Sequence, residues 1–155
     1  VNEIIVSIPY SGTRFVEKHL NISLRVHCKN RPYHELLQLI GTKTIVAPIR
    51  SPLANWLSTV KREGEPTMQK IAEWYDAWYM LNSLFVSRPV HLICIEDQND
   101  RCIDDWQPVG HIEKPVVNYP VPPMNFIYQL PVVQRFYTLK QDKQLWWTED
   151  MRWMT

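Results

Sequence analysis

Two hydrophobic rhythms alternate along this chain. The run Ile4-Ile5-Val6 is β-branched, short and bounded by Pro9, which predicts a fully buried strand rather than one face of a helix. Thr44-Ile45-Val46-Ala47-Pro48-Ile49 and Val90-His91-Leu92-Ile93-Cys94-Ile95 predict two more strands of this kind, the second ending at Glu96-Asp97. Ser23-Leu24-Arg25-Val26-His27 alternates polar and apolar residues instead, and predicts a short strand before Pro32. The intervening spacings are helical. Residues 13–20 follow the first strand, 34–40 stop at Gly41, and 52–61 open with proline in the first turn, as helix starts favour. Gly64 and Pro66 make a break. Ile71, Trp74, Trp78, Leu81 and Phe85 then recur on one face and make 68–85 the longest predicted helix.

Strands near residues 4, 24, 45 and 92 that alternate with helices predict an α/β fold: a three-layer domain with a mainly parallel central sheet flanked by helices. Ligands of such sheets bind at the carboxyl ends of the strands. Beyond the fourth strand the pattern weakens. Seven of the twelve prolines fall between 89 and 131, so residues 106–131 read as an irregular arm over the sheet. A closing helix over 141–154 carries Leu145, Trp146 and Trp153. At 155 residues, without internal repeats, the expectation is one domain over 1–155.

Composition narrows the class. Hydrophobic residues at 45% and charged residues at 21% describe an ordinary globule, and a net charge of +1 provides no global field to recruit nucleic acid or an acidic membrane. Cys28, Cys94 and Cys102 fit neither a CxxC metal pattern nor an even disulfide framework, and read as reduced thiols. His19, His34, His91 and His111 show no ligand spacing, so no metal is expected. No stretch is long and apolar enough to span a bilayer, and the first residues lack the order of a signal peptide. The expectation is a cytoplasmic protein with no nucleic-acid partner and no membrane span.

Candidate chemistry sits at two strand ends. Ser11-Gly12-Thr13 forms a small turn between a strand and a helix, where backbone N–H groups and the helix dipole together favour an anion such as phosphate. The GxxxxGK[ST] pattern of nucleotide hydrolases is missing. Arg50 ends the third strand, and Ser58 stands eight residues later, two helical turns on. A guanidinium fork and a hydroxyl at that spacing suit a second phosphate. A ligand with two separated phosphates would satisfy both sites, provided that they open on the same edge of the sheet.

These stretches resemble the sulfotransferase family, whose donor is 3′-phosphoadenosine 5′-phosphosulfate (PAPS). "PYSGTRF" is similar to the family's PKSGTTW-type loop for the 5′-phosphosulfate, and "RSPLANWLS" to its 3′-phosphate motif, an R-[ND]-P start with serine eight residues after the arginine. "SLRVHCK" resembles the strand bearing K-T-H, "LICIED" the strand ending in Y-E-D, and "LWWTEDMRWM" the closing helix of many bacterial members. Order and spacing agree over residues 4–97. The resemblance implies a P-loop-like fold and transfer of a sulfuryl group to a hydroxyl or amine acceptor, without a metal. It implies that Tyr10, Ser11, Gly12, Thr13 and Arg14 surround the 5′-phosphosulfate, that Phe15 lies against adenine, and that Arg50 and Ser58 hold the 3′-phosphate. His27 falls at the histidine of K-T-H, the acceptor's base, and Arg25 at its lysine, near the sulfuryl group.

The chain departs from the family in three ways. Tyr10 replaces the loop lysine, so Arg14 or Arg25 would have to supply that cation. No C-terminal R-K-G segment follows, with Arg135 and Lys140 as replacements, and the chain is shorter than typical members, which favours a small or exposed acceptor. Two further classes stay open. One is a non-catalytic descendant that binds a nucleotide or a partner, and the other is a P-loop kinase-like phosphotransferase, disfavoured by the missing loop lysine.

Overall fold

A computed structural model of the chain describes residues 2–96, 106–108 and 121–141. Their order is β1 (Glu3–Ser7), α1 (Thr13–Leu20), β2 (Arg25–His27), α2 (Tyr33–Ile40), β3 (Thr44–Ile49), α3 (Pro52–Glu63), α4 (Met68–Ser87), β4 (Val90–Glu96), β5 (Trp106–Pro108), α5 (Asn125–Tyr128) and α6 (Pro131–Gln141). The strands form one sheet in the order β2-β1-β3-β4-β5, and every pair is parallel. This is an α/β fold.

Strand order and chain handedness together assign the helices to faces. The chain runs outward from β1 to β2, then turns back past β1 to β3 and continues in that direction. Right-handed crossovers therefore place α1 on one face and α2, α3 and α4 on the other. The buried side chains agree. Ile4, Val6 and Ile8 join Leu36, Trp56, Trp78, Val132 and Phe136 in the larger core, whereas Ile5 joins Val16, Ile22, Val46, Ile93 and Ile95 beneath α1.

Local chemistry starts and stops the helices on the larger face. Ser51 caps α3 by accepting from the Ala54 N–H at 3.1 Å, Pro52 occupies the first turn, and Gly64 ends the helix at φ 80°. Thr67 caps α4 in the same way. The stripe Trp74, Ala77, Trp78, Leu81 and Leu84 on α4 is buried. Trp74 packs edge-on against Trp56 with ring centroids 5.2 Å apart.

The C-terminal third departs from the sequence expectation. Trp106–Pro108, at the start of the expected irregular arm, adds a parallel strand beside β4, with Cys94 opposite Trp106. Residues 125–128 are helical, and Pro131–Gln141 forms α6, a helix that the sequence reading did not expect. Proline reads as a breaker, yet at the first position of a helix its missing N–H costs nothing, and the strand ending at Pro108 lies at the edge of the sheet. Val132, Val133 and Phe136 of α6 are buried. The expected helix over 142–154, as well as Asp97 and Cys102, lie outside the described residues. Among the described residues no helix is long and apolar enough to cross a membrane.

Candidate anion and transfer site

The order β2-β1-β3 creates a switch point. The chain leaves β1 for the face of α1 and leaves β3 for the opposite face, which opens a crevice at the carboxyl ends of these strands. The turn around Gly12 and the side chain of Arg50 both lie there, on the same edge of the sheet.

The turn has an unusual backbone. Tyr10 and Gly12 are both left-handed, at φ 65° and 80°. Glycine takes this shape freely, whereas a tyrosine gives up about 1–2 kcal/mol. Three hydrogen bonds on consecutive residues hold it in place. Asn55 Nδ2 donates to the Pro9 carbonyl at 2.8 Å and to Ser11 Oγ at 3.0 Å, and Arg50 Nη1 donates to the Tyr10 carbonyl at 3.0 Å. Gly12 then caps α1, its carbonyl accepting from Val16 N–H. The leading N–H groups of α1 have no intrahelical partner, as at every helix start.

Arg50 is 7% exposed, and its Nη1 also donates to Ser58 Oγ at 3.0 Å. The structure thus brings together the arginine, the hydroxyl eight residues later and the first turn. Arg14 and Phe15 lie on the first turn of α1, with side chains outside the described residues.

Sequence reasoning missed Asn55. Its side chain is fully buried and uses both ends: the amide nitrogen holds the turn, and Oδ1 accepts from the Trp74 indole at 2.6 Å. Asparagine inside a helix is unfavourable unless its side chain has other work, and this one stands five residues after Arg50. That was the available signal.

His27 approaches from the face of α1. Its Nδ1 lies 3.2 Å from Ser7 Oγ, directly across the β1–β2 pair, and Ser7 Oγ lies 2.7 Å from Thr13 Oγ1. Ser7, the second residue missed, links the imidazole to the start of α1 through two hydroxyls. Burial depresses the His27 pKa below 6.5, and the neighbouring Arg25, with Lys29 and Arg31, pushes it further down. The imidazole is therefore neutral at neutral pH, as a general base requires. Because the unfolded chain takes up this proton more readily, His27's contribution to stability is fully present above pH 6.5 and is lost as pH falls below it. Thermal unfolding across this range should show a fall in Tm on the acid side that His27→Gln reduces. An identical pH profile in the variant would contradict the assignment.

Arg25 and Lys29 are engaged elsewhere. Arg25, half-exposed, pairs with Glu17 of α1 at 3.0 Å instead of reaching the turn. Lys29 pairs with Glu63 at 3.3 Å, and the hydroxyl of Tyr10, its pKa raised by burial and then by Glu63, meets the same carboxylate. This cluster borders a cleft of about 460 Å³, open mouth included, whose walls include Ile8, Pro9, Trp56 and Trp74. The cleft lies on the α3–α4 face, opposite His27. Arg135 is exposed on α6, and the side chain of Lys140 lies outside the described residues. No group of three or more His, Cys, Asp or Glu side chains gathers among the described residues.

Comparison with protein families, curated proteins and solved structures finds no match. The functional argument therefore rests on this geometry and on the motifs.

Proposed function

We propose that the chain is a P-loop-like sulfotransferase that binds PAPS in the β1/β3 crevice and transfers its sulfuryl group to a hydroxyl or amine acceptor. The observation that carries this reading is the Arg50 guanidinium, joined at once to the Tyr10 carbonyl and to Ser58 Oγ. It is a buried cation that ties the turn proposed for the 5′-phosphosulfate to the serine proposed for the 3′-phosphate. In this reading the 5′-phosphosulfate lies on Ser11, Gly12, Thr13 and the start of α1, Phe15 lies against adenine, and Arg50 with Ser58 receives the 3′-phosphate. The acceptor oxygen or nitrogen attacks sulfur and forms the new bond to it. The bond from sulfur to the bridging oxygen breaks, its electron pair stays on the 5′-phosphate, and the acceptor's proton passes to His27. Arg14 replaces the loop cation that Tyr10 does not supply. The reading includes a cytoplasmic location, in keeping with Cys28, a buried thiol outside any disulfide.

Calorimetry tests the reading. Adenosine 3′,5′-bisphosphate should bind more tightly than adenosine 5′-monophosphate, because only the former engages Arg50 and Ser58. Arg50→Ala should remove about 1.5–3 kcal/mol of that preference, a factor of roughly 10–150. Ser58→Ala, which leaves the Arg50–Tyr10 contact in place, should remove a smaller part. Equal binding of the two nucleotides overturns the assignment, and tighter binding of ATP with magnesium supports the phosphotransferase alternative.

One observation favours a second reading. With Tyr10 at the lysine position, Arg25 on Glu17 and Lys29 on Glu63, a non-catalytic binding protein would have the same crevice. Bisphosphate binding without sulfuryl transfer to any acceptor would support it.

A further inference from the structure

Two hydrogen bonds beside the crevice have no fixed direction. Between Ser7 Oγ and Thr13 Oγ1, 2.7 Å apart, either hydroxyl can donate, and between Ser7 Oγ and His27 Nδ1, 3.2 Å apart, the roles depend on the imidazole tautomer. Ser7 is 0% exposed and Thr13 6%, so bulk water does not scramble the arrangement. Each hydroxyl carries a single proton. The three groups therefore act as a chain with two polarities.

In the inward polarity Thr13 donates to Ser7 and Ser7 donates to Nδ1. A neutral imidazole then carries its proton on Nε2 and offers no lone pair there. In the outward polarity Nδ1–H donates to Ser7 and Ser7 donates to Thr13, which leaves the Thr13 hydrogen for an acceptor outside the chain. Nε2 is then bare.

We infer that an anion at the start of α1 selects the outward polarity, so that donor binding switches His27 to the Nδ1–H tautomer and arms Nε2 as the base. This rests on the proposed function. Thr13 is the first residue of α1, so its hydroxyl and the unpaired N–H groups share one end of the helix. A phosphate or sulfate oxygen can only accept, and a hydrogen bond to an anion is roughly twice as strong as a neutral one, so an occupied site turns the Thr13 hydroxyl toward it. Ser7 and His27 follow in turn.

The charges around the ring favour a tautomer change over protonation. Arg25 on its own strand and Lys29 and Arg31 in the following segment all disfavour an imidazolium, and Glu17 of α1 is paired with Arg25. Ser7 is thus a positioning residue that acts through His27. The arrangement also keeps the base unarmed while the donor is absent.

Long-range 1H–15N NMR of the whole chain reads the tautomer directly. In the unmodified protein at neutral pH, the imidazole proton should move from Nε2 to Nδ1 when adenosine 3′,5′-bisphosphate saturates the site. In Ser7→Ala the nucleotide should still bind, and the tautomer ratio should be the same with and without it. Thr13→Val should abolish the switch as well, which covers the case of a poorly folded Ser7→Ala, and Thr13→Ser should restore it. Nucleotide binding with no change of tautomer, or a full switch in both Ser7→Ala and Thr13→Val, overturns the inference and leaves the proposed function standing. If the nucleotide does not bind at all, both fall.

Discussion

Replacing His27 with alanine is expected to lower sulfuryl transfer by about 10²–10⁴-fold while adenosine 3′,5′-bisphosphate still binds. The two halves of this expectation come from different parts of the crevice. The groups assigned to the phosphates are the first turn of α1, Arg50 and Ser58, whereas the described hydrogen bond of the imidazole is to Ser7 Oγ. After truncation Ser7 keeps its bond to Thr13 at 2.7 Å. A fall in transfer of this size with intact binding therefore isolates the loss of a proton acceptor. Transfer of labelled sulfuryl groups, together with calorimetry on the same preparation, measures both. His34→Ala, at an exposed position on α2, serves as the control and should change neither. Full turnover in His27→Ala would remove the histidine from the mechanism.

Asn55→Leu is expected to cost about 3–5 kcal/mol of stability, because the buried Ser11 Oγ and Trp74 Nε1 and the partly buried Pro9 carbonyl lose their partner together, and each such loss costs about 1–3 kcal/mol. The Pro9 carbonyl, Ser11 Oγ and Trp74 Nε1 all depend on this one amide. Leucine has the same branched skeleton as asparagine, with methyl groups in place of the amide oxygen and nitrogen, so the main loss is of hydrogen bonds. For a domain of this size such a loss corresponds to a fall in Tm of roughly 10 °C, which thermal unfolding measures. Asn55→Asp keeps an acceptor for Trp74 but no donors for the turn, and should fall between. Because the clamp on Tyr10 relaxes in both, nucleotide affinity should fall alongside stability. A loss below about 1 kcal/mol in Asn55→Leu would mean that water or neighbouring groups replace the amide.

The elements legible in the sequence were those whose signal is local. Ile4-Ile5-Val6 and Ile45-Val46 are buried, as their continuous β-branched runs predict, and α4 declares itself through Trp74, Trp78 and Leu81. Arg50 and Ser58 were legible as a pair because eight residues make a little over two helical turns, which returns the serine to the side of the arginine. What escaped was long-range. Asn55 acts on residues 9 and 11, and Ser7 acts on residue 27 through strand pairing, so neither pattern exists until the sheet is assembled. Arg25 was legible as a cation, but the carboxylate that claims it, Glu17, comes from another element. The prolines misled in the C-terminal third because the same residue breaks a helix inside and begins one at its first position, as Pro131 does.

The clamp on Tyr10 also orders events during biosynthesis. The turn is synthesised before α3 and α4, yet the groups that force its tyrosine into a left-handed conformation are Arg50 and Asn55, and Asn55 is itself held by Trp74. At about 5–20 residues per second, the nascent turn waits on the order of 3–10 s before its last support is synthesised. Until then Tyr10 relaxes to an ordinary backbone. A chain arrested shortly after Glu63 would carry every residue of the two phosphate motifs and still lack the shape that makes them one crevice.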